Sequence, residues 1–542
     1  MIRTQPLLRK SVFQFLIIGF LFVMAFGLRL YHIGEPPMDF QEVRQYHGAL
    51  LARGFYEWWL TGELKTLPPD GIIEPPILEF TTSFAYYAFG GEYLWVPRLL
   101  SALFWMIGGV FLYLIAKKIT SPSAALLSLL FYLFVPFSVL PSRAFMPESL
   151  MIMMLLVSLF TILLYHERPS ARALAIAATA SSVTLFIKPG FCFFQIIGAF
   201  ALLAILKKGI RKSVTDLHLL VFVISSILPV GLYYLYGTFI EGFLQGQAQD
   251  KLEFALLLQL VTWSRWLDQI VIVVGYVALL GALVGLVLSR RGAPRALLSS
   301  LWVGYFLFGL VFTLHIRSHD YYSLQLIPVV ALSLSPLASL ILTYISQRGL
   351  RSSARIAILV LFVMMVVLST VEHRDVFLGI AQQAQGKAFP GRYMGQTTIA
   401  NYEGRAKVYQ EIGEIVNHSS RTLFLAPEFG FSLMYHGRLS GEAWPGPGPK
   451  QPRGGPAPSR AEQRSTEKRF NALYSEHSPD YFIVVSRFTQ RNRKADFWKS
   501  EEYEGLKRLL TENFPVVVVS DDFIVFDLRK ARLTGEGQVR LR

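Results

Sequence analysis

Apolar runs about as long as a bilayer is thick recur along this chain, and they constrain its fold more than any other feature. A helix crossing hydrocarbon needs roughly 20 mostly apolar residues, because its backbone must satisfy its own hydrogen bonds there. Eleven such runs are read: Val12–Tyr31, Trp95–Ala116, Ser123–Pro141, Ser149–Tyr165, Ala173–Ile187, Gly190–Leu206, Leu217–Gly237, Leu267–Ser289, Ala296–His315, Tyr322–Ser346 and Ile356–Val371. The fifth is short, but the Lys188-Pro189-Gly190 punctuation after it allows a tight turn between two spans. The first follows a basic start yet is long and lacks a small-residue cleavage pattern, so it reads as an anchor and not a signal peptide. Only 16% of the 542 residues are charged, 53% are hydrophobic, and the mean hydropathy is +0.42. Soluble proteins carry about 25% charged residues, so this is the composition of an integral membrane protein.

The formal charge of +15 does not point to nucleic acid, because the basic residues sit between apolar runs. Arg3, Arg9 and Lys10, then Lys117 and Lys118, Arg168 and Arg172, Lys207 to Lys212, Arg290 to Arg295, and Arg348 to Arg355 mark every second boundary. Basic boundaries face the cytoplasm. The N-terminus is therefore cytoplasmic, and the alternate segments face outward: His32–Leu94, Ser142–Glu148, the Lys188 turn, Thr238–Trp266, Ile316–Tyr321 and everything after Glu372. Acids, histidines, tyrosines and prolines collect on that outward side. The single cysteine, Cys192, lies in an apolar run and can form no internal disulfide. One sequon, Asn417-His-Ser419, and the lack of cysteine pairs lean toward a bacterial inner membrane.

After Glu372 the composition becomes that of a soluble domain. Short strands are expected at Thr422–Ala426, Tyr481–Val485, Val516–Val519 and Phe523–Phe526, with a helix over Tyr503–Asn513. The expected organisation is a membrane domain over residues 1–371, with a large first outer loop at 32–94, and an extracytoplasmic α/β domain over 372–542. Within the latter, Gly441–Arg464 is too rich in Pro and Gly for a regular element and reads as a disordered loop. No internal repeat of fixed period is evident.

Four outward stretches carry the chemistry: Glu35-Pro-Pro-Met-Asp-Phe-Gln-Glu-Val-Arg-Gln-Tyr46, Glu74-Pro-Pro-Ile-Leu-Glu-Phe80, Leu140-Pro-Ser-Arg-Ala-Phe-Met-Pro-Glu-Ser-Leu150, and His315-Ile-Arg-Ser-His-Asp-Tyr-Tyr-Ser-Leu-Gln-Leu-Ile-Pro328. Each also has a plain structural reading. Asp39 suits an interfacial acid or helix cap, Glu74-Pro-Pro a turn before an interfacial helix, and Pro147-Glu148 a first helical turn whose dipole favours an acid. Tyr321 and Tyr322 suit an interfacial aromatic belt, and Lys188 and Arg265 suit solvated residues near span ends. Against these stands the grouping of His315, Arg317 and His319, which fits an anionic ligand.

Together and in this order, the four stretches resemble the GT-C glycosyltransferases, and more narrowly the family that groups protein mannosyltransferase-like enzymes with the lipid A aminoarabinose transferase. The resemblance implies an α-helical polytopic fold and a general base on the first loop. Asp39 takes that part here, with Glu42 an alternative because the spacing from acid to Tyr departs from the usual one. It implies a second loop acid, here Glu148 in place of the usual Asp, and a donor contact where relatives often carry Lys or His and this chain has Glu74. The His319-Asp-Tyr321-Tyr322 segment would lie over the donor. No family motif is recognised after Glu372.

An outward-facing transferase needs a donor that crosses the membrane, and a polyprenyl-phosphate sugar meets that need. The implied chemistry is displacement of the lipid phosphate from the anomeric carbon by an acceptor hydroxyl, with inversion. Asp39, with Glu148 beside it, would take the acceptor proton, while Arg44, Arg143, Lys188, Arg317 and His319 would stabilise the leaving phosphate. A divalent ion held by Asp39 and Glu148 is left open, since hard cations take carboxylate oxygens, although no dedicated ligand spacing appears. The acceptor is an envelope molecule: glycolipid, polysaccharide or protein. Two rivals stand. A transporter or flippase would show repeat symmetry and broken helices at matching positions, and a non-catalytic assembly protein would tolerate loss of the loop acids.

Overall fold

The computed structural model describes residues 5–347, apart from 65–66, 69–70, 73 and 245–252, together with 402–444, 460–485 and 503–530. They fall into two compact units. The first is drawn from Met1–Gly34, Phe55–Glu63 and Asp70–Leu378, the second from Glu35–Gly54, Leu64–Pro69 and Gly379–Arg542.

The first unit is helical: α1 (Gln5–Leu30), the end of α2 (Glu42–Thr61), α3 (Ile77–Phe89), α4 (Trp95–Ile119), α5 (Pro122–Phe134), α6 (Glu148–Glu167), α7 (Ala171–Ile187), α8 (Phe193–Lys208), α9 (Leu217–Leu235), α10 (Leu260–Val274), α11 (Tyr276–Leu288), α12 (Ala293–Val311) and α13 (Leu326–Gln347). Local chemistry sets many of the ends. Ser121 and Ser170 accept hydrogen bonds from Ala124 N and Ala173 N at the starts of α5 and α7, and Gly90 closes α3 in the left-handed region at φ 71°. Apolar burial gains nothing between helices that lipid could equally cover, so close approach through small residues has to hold them. A Cβ added to Gly285 of α11 would lie 1.9 Å from Ser333 O of α13, and one on Gly304 of α12 would lie 2.6 Å from the Gln195 backbone in α8.

Five described helices are long and apolar enough to cross a membrane, or seven if two bent pairs are each one span. Eleven unbroken spans are thus not found among the described residues. The third is broken, with Pro136–Arg143 turning 56° from α5, because Pro136 cannot continue the helical ladder. The eighth is two helices at 93°, parted by Gly275 at φ 77°, and its first helix begins at Leu260, inside what was expected to be loop. The helices at the fifth and sixth positions are shorter, with 17 residues in α7 and 16 in α8. Ile356–Val371 lies outside the described residues.

The second unit holds a five-stranded sheet in the order β2-β1-β3-β5-β4. Its strands are β1 (Thr422–Leu425), β2 (Gly441–Ala443), β3 (Tyr481–Val485), β4 (Val516–Val519) and β5 (Phe523–Asp527), with α14 (Tyr402–Ile415), α15 (Phe431–Gly437), α16 (Arg460–His477) and α17 (Glu504–Asn513). β1 runs parallel to β2 and β3, whereas β5 is antiparallel to β3 and β4. β3 and β5 are buried throughout, as expected of central strands made of β-branched and aromatic residues. Phe470, Phe482, Leu510, Phe514 and Phe526 form the core. The stretch expected to lack regular structure begins with β2 and ends within α16, while residues 445–459 between them lie outside the described residues. A three-residue strand carries too little alternation to show in sequence.

Candidate active site

Helix α7 stops at Ile187, and Gly190 makes the turn that follows. Its φ is 87°, and an added Cβ would come within 2.9 Å of the Phe312 ring, so only glycine suits both the backbone and the gap. The turn carries Lys188 inward, which overturns its reading as a solvated interface residue: its side chain is 1% exposed. It forms an ion pair with Glu148, equally buried in the first turn of α6. Its Nζ also lies 3.9 Å from Glu74 Oε1, just ahead of α3. Aromatic rings cover the ammonium, with Phe191 at 4.2 Å, Tyr321 at 5.1 Å and Tyr322 at 5.8 Å.

This cluster is costly to keep. Each buried ion forfeits several kcal/mol of hydration, and replacing such a pair with apolar residues often leaves stability unchanged or improved. Glu148 Oε2 has no hydrogen-bond partner among the described residues, and an unsatisfied buried acceptor costs roughly 1–3 kcal/mol. Fixed charges at span ends, with a lone pair left over, suit a ligand that brings donors or negative charge.

Neighbouring loops brace the cluster. Arg143 donates to the Tyr31 carbonyl, and Ser149 Oγ donates to Ser142 O at 3.2 Å. Arg29, fully buried, donates to Ser142 Oγ at 2.6 Å and to Leu133 O at 3.0 Å. Sequence reasoning missed Arg29. The signal was a charge inside an apolar run, which needs a polar partner at that depth.

Tyr321 and Tyr322 are 7% and 9% exposed, so they are packed inward and do not form a lipid-facing belt. His319 packs on both, at 5.6 and 5.9 Å, with its Nδ1 2.8 Å from Ser318 Oγ. Arg317 donates to Thr262 Oγ1 at 3.1 Å. Arg265 is exposed on α10. Within the first unit the chain thus gathers Glu74, Glu148, Lys188, Tyr321, Tyr322 and His319, with Arg317 on a neighbouring turn. Among the described residues, no group of three or more His, Cys, Asp or Glu is placed to hold a metal ion.

Asp39, Glu42 and Arg44 belong to the second unit. Asp39 is half-buried and accepts from Gln45 Nε2 at 3.4 Å. Arg44, on α2, is half-buried too. Glu42 is buried in an ion pair with Arg405 of α14, a partner that sequence reasoning missed. Nearby, Tyr46 Oη lies 2.7 Å from His436 Nε2, and Arg53 donates to Tyr435 O at 2.9 Å.

Burial, with the Arg53 and Arg405 charges, pushes His436 down to about 3 from its ordinary 6.5. The unfolded chain therefore binds a proton below about pH 6.5 that the folded unit refuses until about pH 3. Stability from this site is full above that window and is lost as pH falls through it, by up to roughly 1.4 kcal/mol per pH unit. Thermal unfolding followed from pH 7 to pH 4 should show the fall, and His436→Gln should flatten it. An unchanged slope in the variant contradicts the assignment.

The comparisons with known proteins agree with this architecture. Residues 73–233 match the model of the dolichyl-phosphate-mannose-protein mannosyltransferase family. The fold matches ArnT from Cupriavidus metallidurans in the apo state with a TM-score of 0.54 at 15% identity, over 93% of this chain and 97% of that one. The same enzyme bound to undecaprenyl phosphate matches at 0.52 and 15%, over 95% and 98%. The oligosaccharyltransferase AglB from Archaeoglobus fulgidus, in complex with an inhibitory peptide and a dolichol-phosphate, matches at 0.53 and 13%, over 94% of this chain and 73% of that one. No curated protein sequence matches. Over residues 73–233 the chain is similar to the dolichyl-phosphate-mannose-protein mannosyltransferase family, and over nearly its whole length it shares the helical membrane-protein fold of ArnT and AglB.

Proposed function

We propose that the protein transfers a sugar from a polyprenyl-phosphate donor to a hydroxyl of an envelope acceptor, with inversion, on the outer face of a bacterial inner membrane. The membrane domain 1–371 binds the donor, and residues 372–542 form an extracytoplasmic domain. The observation that carries this reading is the buried Lys188 between Glu148 and Glu74, roofed by Tyr321 and Tyr322. Such a cluster serves a reaction in which negative charge grows on a departing phosphate.

As the anomeric C–O bond breaks, its electron pair goes to the lipid phosphate. Lys188 turns from Glu148 toward that phosphate, while Arg143, Arg317 and His319 supply further positive or donor groups in a site of low dielectric. The acceptor oxygen forms the new bond on the opposite face, and Asp39 takes its proton. Glu148, released from Lys188, accepts from a sugar hydroxyl. The ArnT and AglB structures that contain undecaprenyl phosphate and dolichol-phosphate support a lipid-phosphate donor.

The test is transfer by the purified protein in proteoliposomes with radiolabelled polyprenyl-phosphate sugars, alongside mass spectrometry of envelope glycans and lipid-linked sugars from cells with and without the gene. A glycan that disappears while its lipid-linked sugar accumulates is the expected result. Unchanged glycans with no transfer in vitro would refute it, and movement of intact lipid-linked sugar between leaflets would favour a flippase.

A further inference from the structure

The acid proposed as base sits in a segment with no helix or strand, residues 35–41, running into α2. Backbone geometry does not fix this segment by itself. Gln41 has a φ of 46°, in the left-handed region that disfavours side chains other than glycine, so its surroundings must hold it there. Two sets of contacts in the second unit do so. Fully buried Gln45 turns back from α2, and its Nε2 donates to Phe40 O at 2.5 Å and Pro37 O at 3.1 Å as well as to Asp39 Oδ1. One turn earlier, Glu42 is clamped by Arg405, whose Nε donates to Tyr409 Oη at 2.9 Å and whose Nη2 also reaches Ser432 Oγ at 3.4 Å.

We infer that Arg405 is a positioning residue for catalysis: through Glu42 it anchors the first turn of α2, and through Gln45 that turn holds Asp39. The role rests on Asp39 being the base proposed above. It gives the C-terminal domain a part in turnover as well as any part in choosing the acceptor. Arg405 touches no reacting atom. Its Tyr409 and Ser432 contacts lie on α14 and α15, which meet so closely that a Cβ on Gly413 would come within 2.1 Å of Gly437 O. The clamp is therefore built on a rigid helix pair.

Removing Arg405 alone strands a buried carboxylate and risks the fold. The test therefore uses the double variant Glu42→Met/Arg405→Met, which removes both charges and keeps apolar volume, beside Gln45→Met. Both are studied as full-length protein, by melting temperature, transfer kinetics and hydrogen–deuterium exchange. The expected result is a melting temperature near wild type with kcat lowered about 10- to 100-fold, the scale of a misplaced catalytic group. Donor KM should not move, the pH–rate limb of the base should shift, and exchange should rise about tenfold or more in residues 35–46, the loss of protection expected from local opening. Wild-type kcat and pH profile in the folded double variant would overturn the inference, as would unchanged exchange there. Absence of transfer by the wild type would instead refute the function proposed above, and the exchange result would still decide whether Arg405 holds the loop.

Discussion

Lys188→Met is expected to lower turnover by about 100- to 1,000-fold, the usual scale when one preorganised group that meets developing charge is removed. Two effects are joined in that substitution. The phosphate loses its cation, and Glu148 and Glu74 are left facing each other without the charge between them. Breaking a buried pair destabilises by roughly 3–5 kcal/mol, so the single variant could fail by unfolding. Lys188→Met/Glu148→Gln removes that objection because no charge is left uncompensated within the pair. It should melt near wild type and still be inactive in the transfer assay. Lys188→Arg keeps the charge in a planar, longer head that does not match the ring-covered niche beside Phe191, and it should recover only a small part of the rate. Wild-type kinetics in the folded double variant would remove Lys188 from the reaction.

Asp39→Asn should leave donor binding intact while lowering kcat by about 10²- to 10⁴-fold, the range for a positioned general base. The isosteric amide keeps the hydrogen-bonding shape beside Gln45 but cannot accept the acceptor's proton. Its effect should fall on kcat, and the acidic limb of the pH–rate profile should vanish with the carboxylate. Glu42→Gln provides the contrast. Glu42 is committed to Arg405, so its loss should act on stability and positioning, shifting that limb without abolishing it. If instead Glu42→Gln erased the limb and Asp39→Asn did not, the base would have to be reassigned to Glu42.

How far the sequence revealed this site depends on the distance over which each interaction acts. Helices α4 and α6 were legible because hydrophobicity and basic flanks are local signals, and the turn at Lys188 was legible from its Pro-Gly punctuation. The inward course of Lys188 was not. It depends on Gly190 meeting Phe312 and on Glu148 arriving from 40 residues away, which no local pattern encodes. Tyr321 and Tyr322 likewise fit a belt as well as a roof in sequence alone, and only their packing over Lys188 separates the two. Arg405 was out of reach altogether, since its carboxylate partner lies 363 residues earlier in the chain. In the membrane unit, the bend at Gly275 escaped because apolar residues continue through it and only the backbone angle records the break.

The central claim is that the buried Lys188–Glu148 pair receives the phosphate of a lipid-linked sugar. Equilibrium binding of undecaprenyl phosphate to the purified protein in nanodiscs, wild type against Lys188→Met/Glu148→Gln, tests it directly. Saturable binding by the wild type, weakened about 30-fold or more in a folded double variant, is the predicted result; a charge-assisted contact worth about 2 kcal/mol accounts for that ratio. Equal affinity of the two proteins would contradict the account and place the phosphate elsewhere.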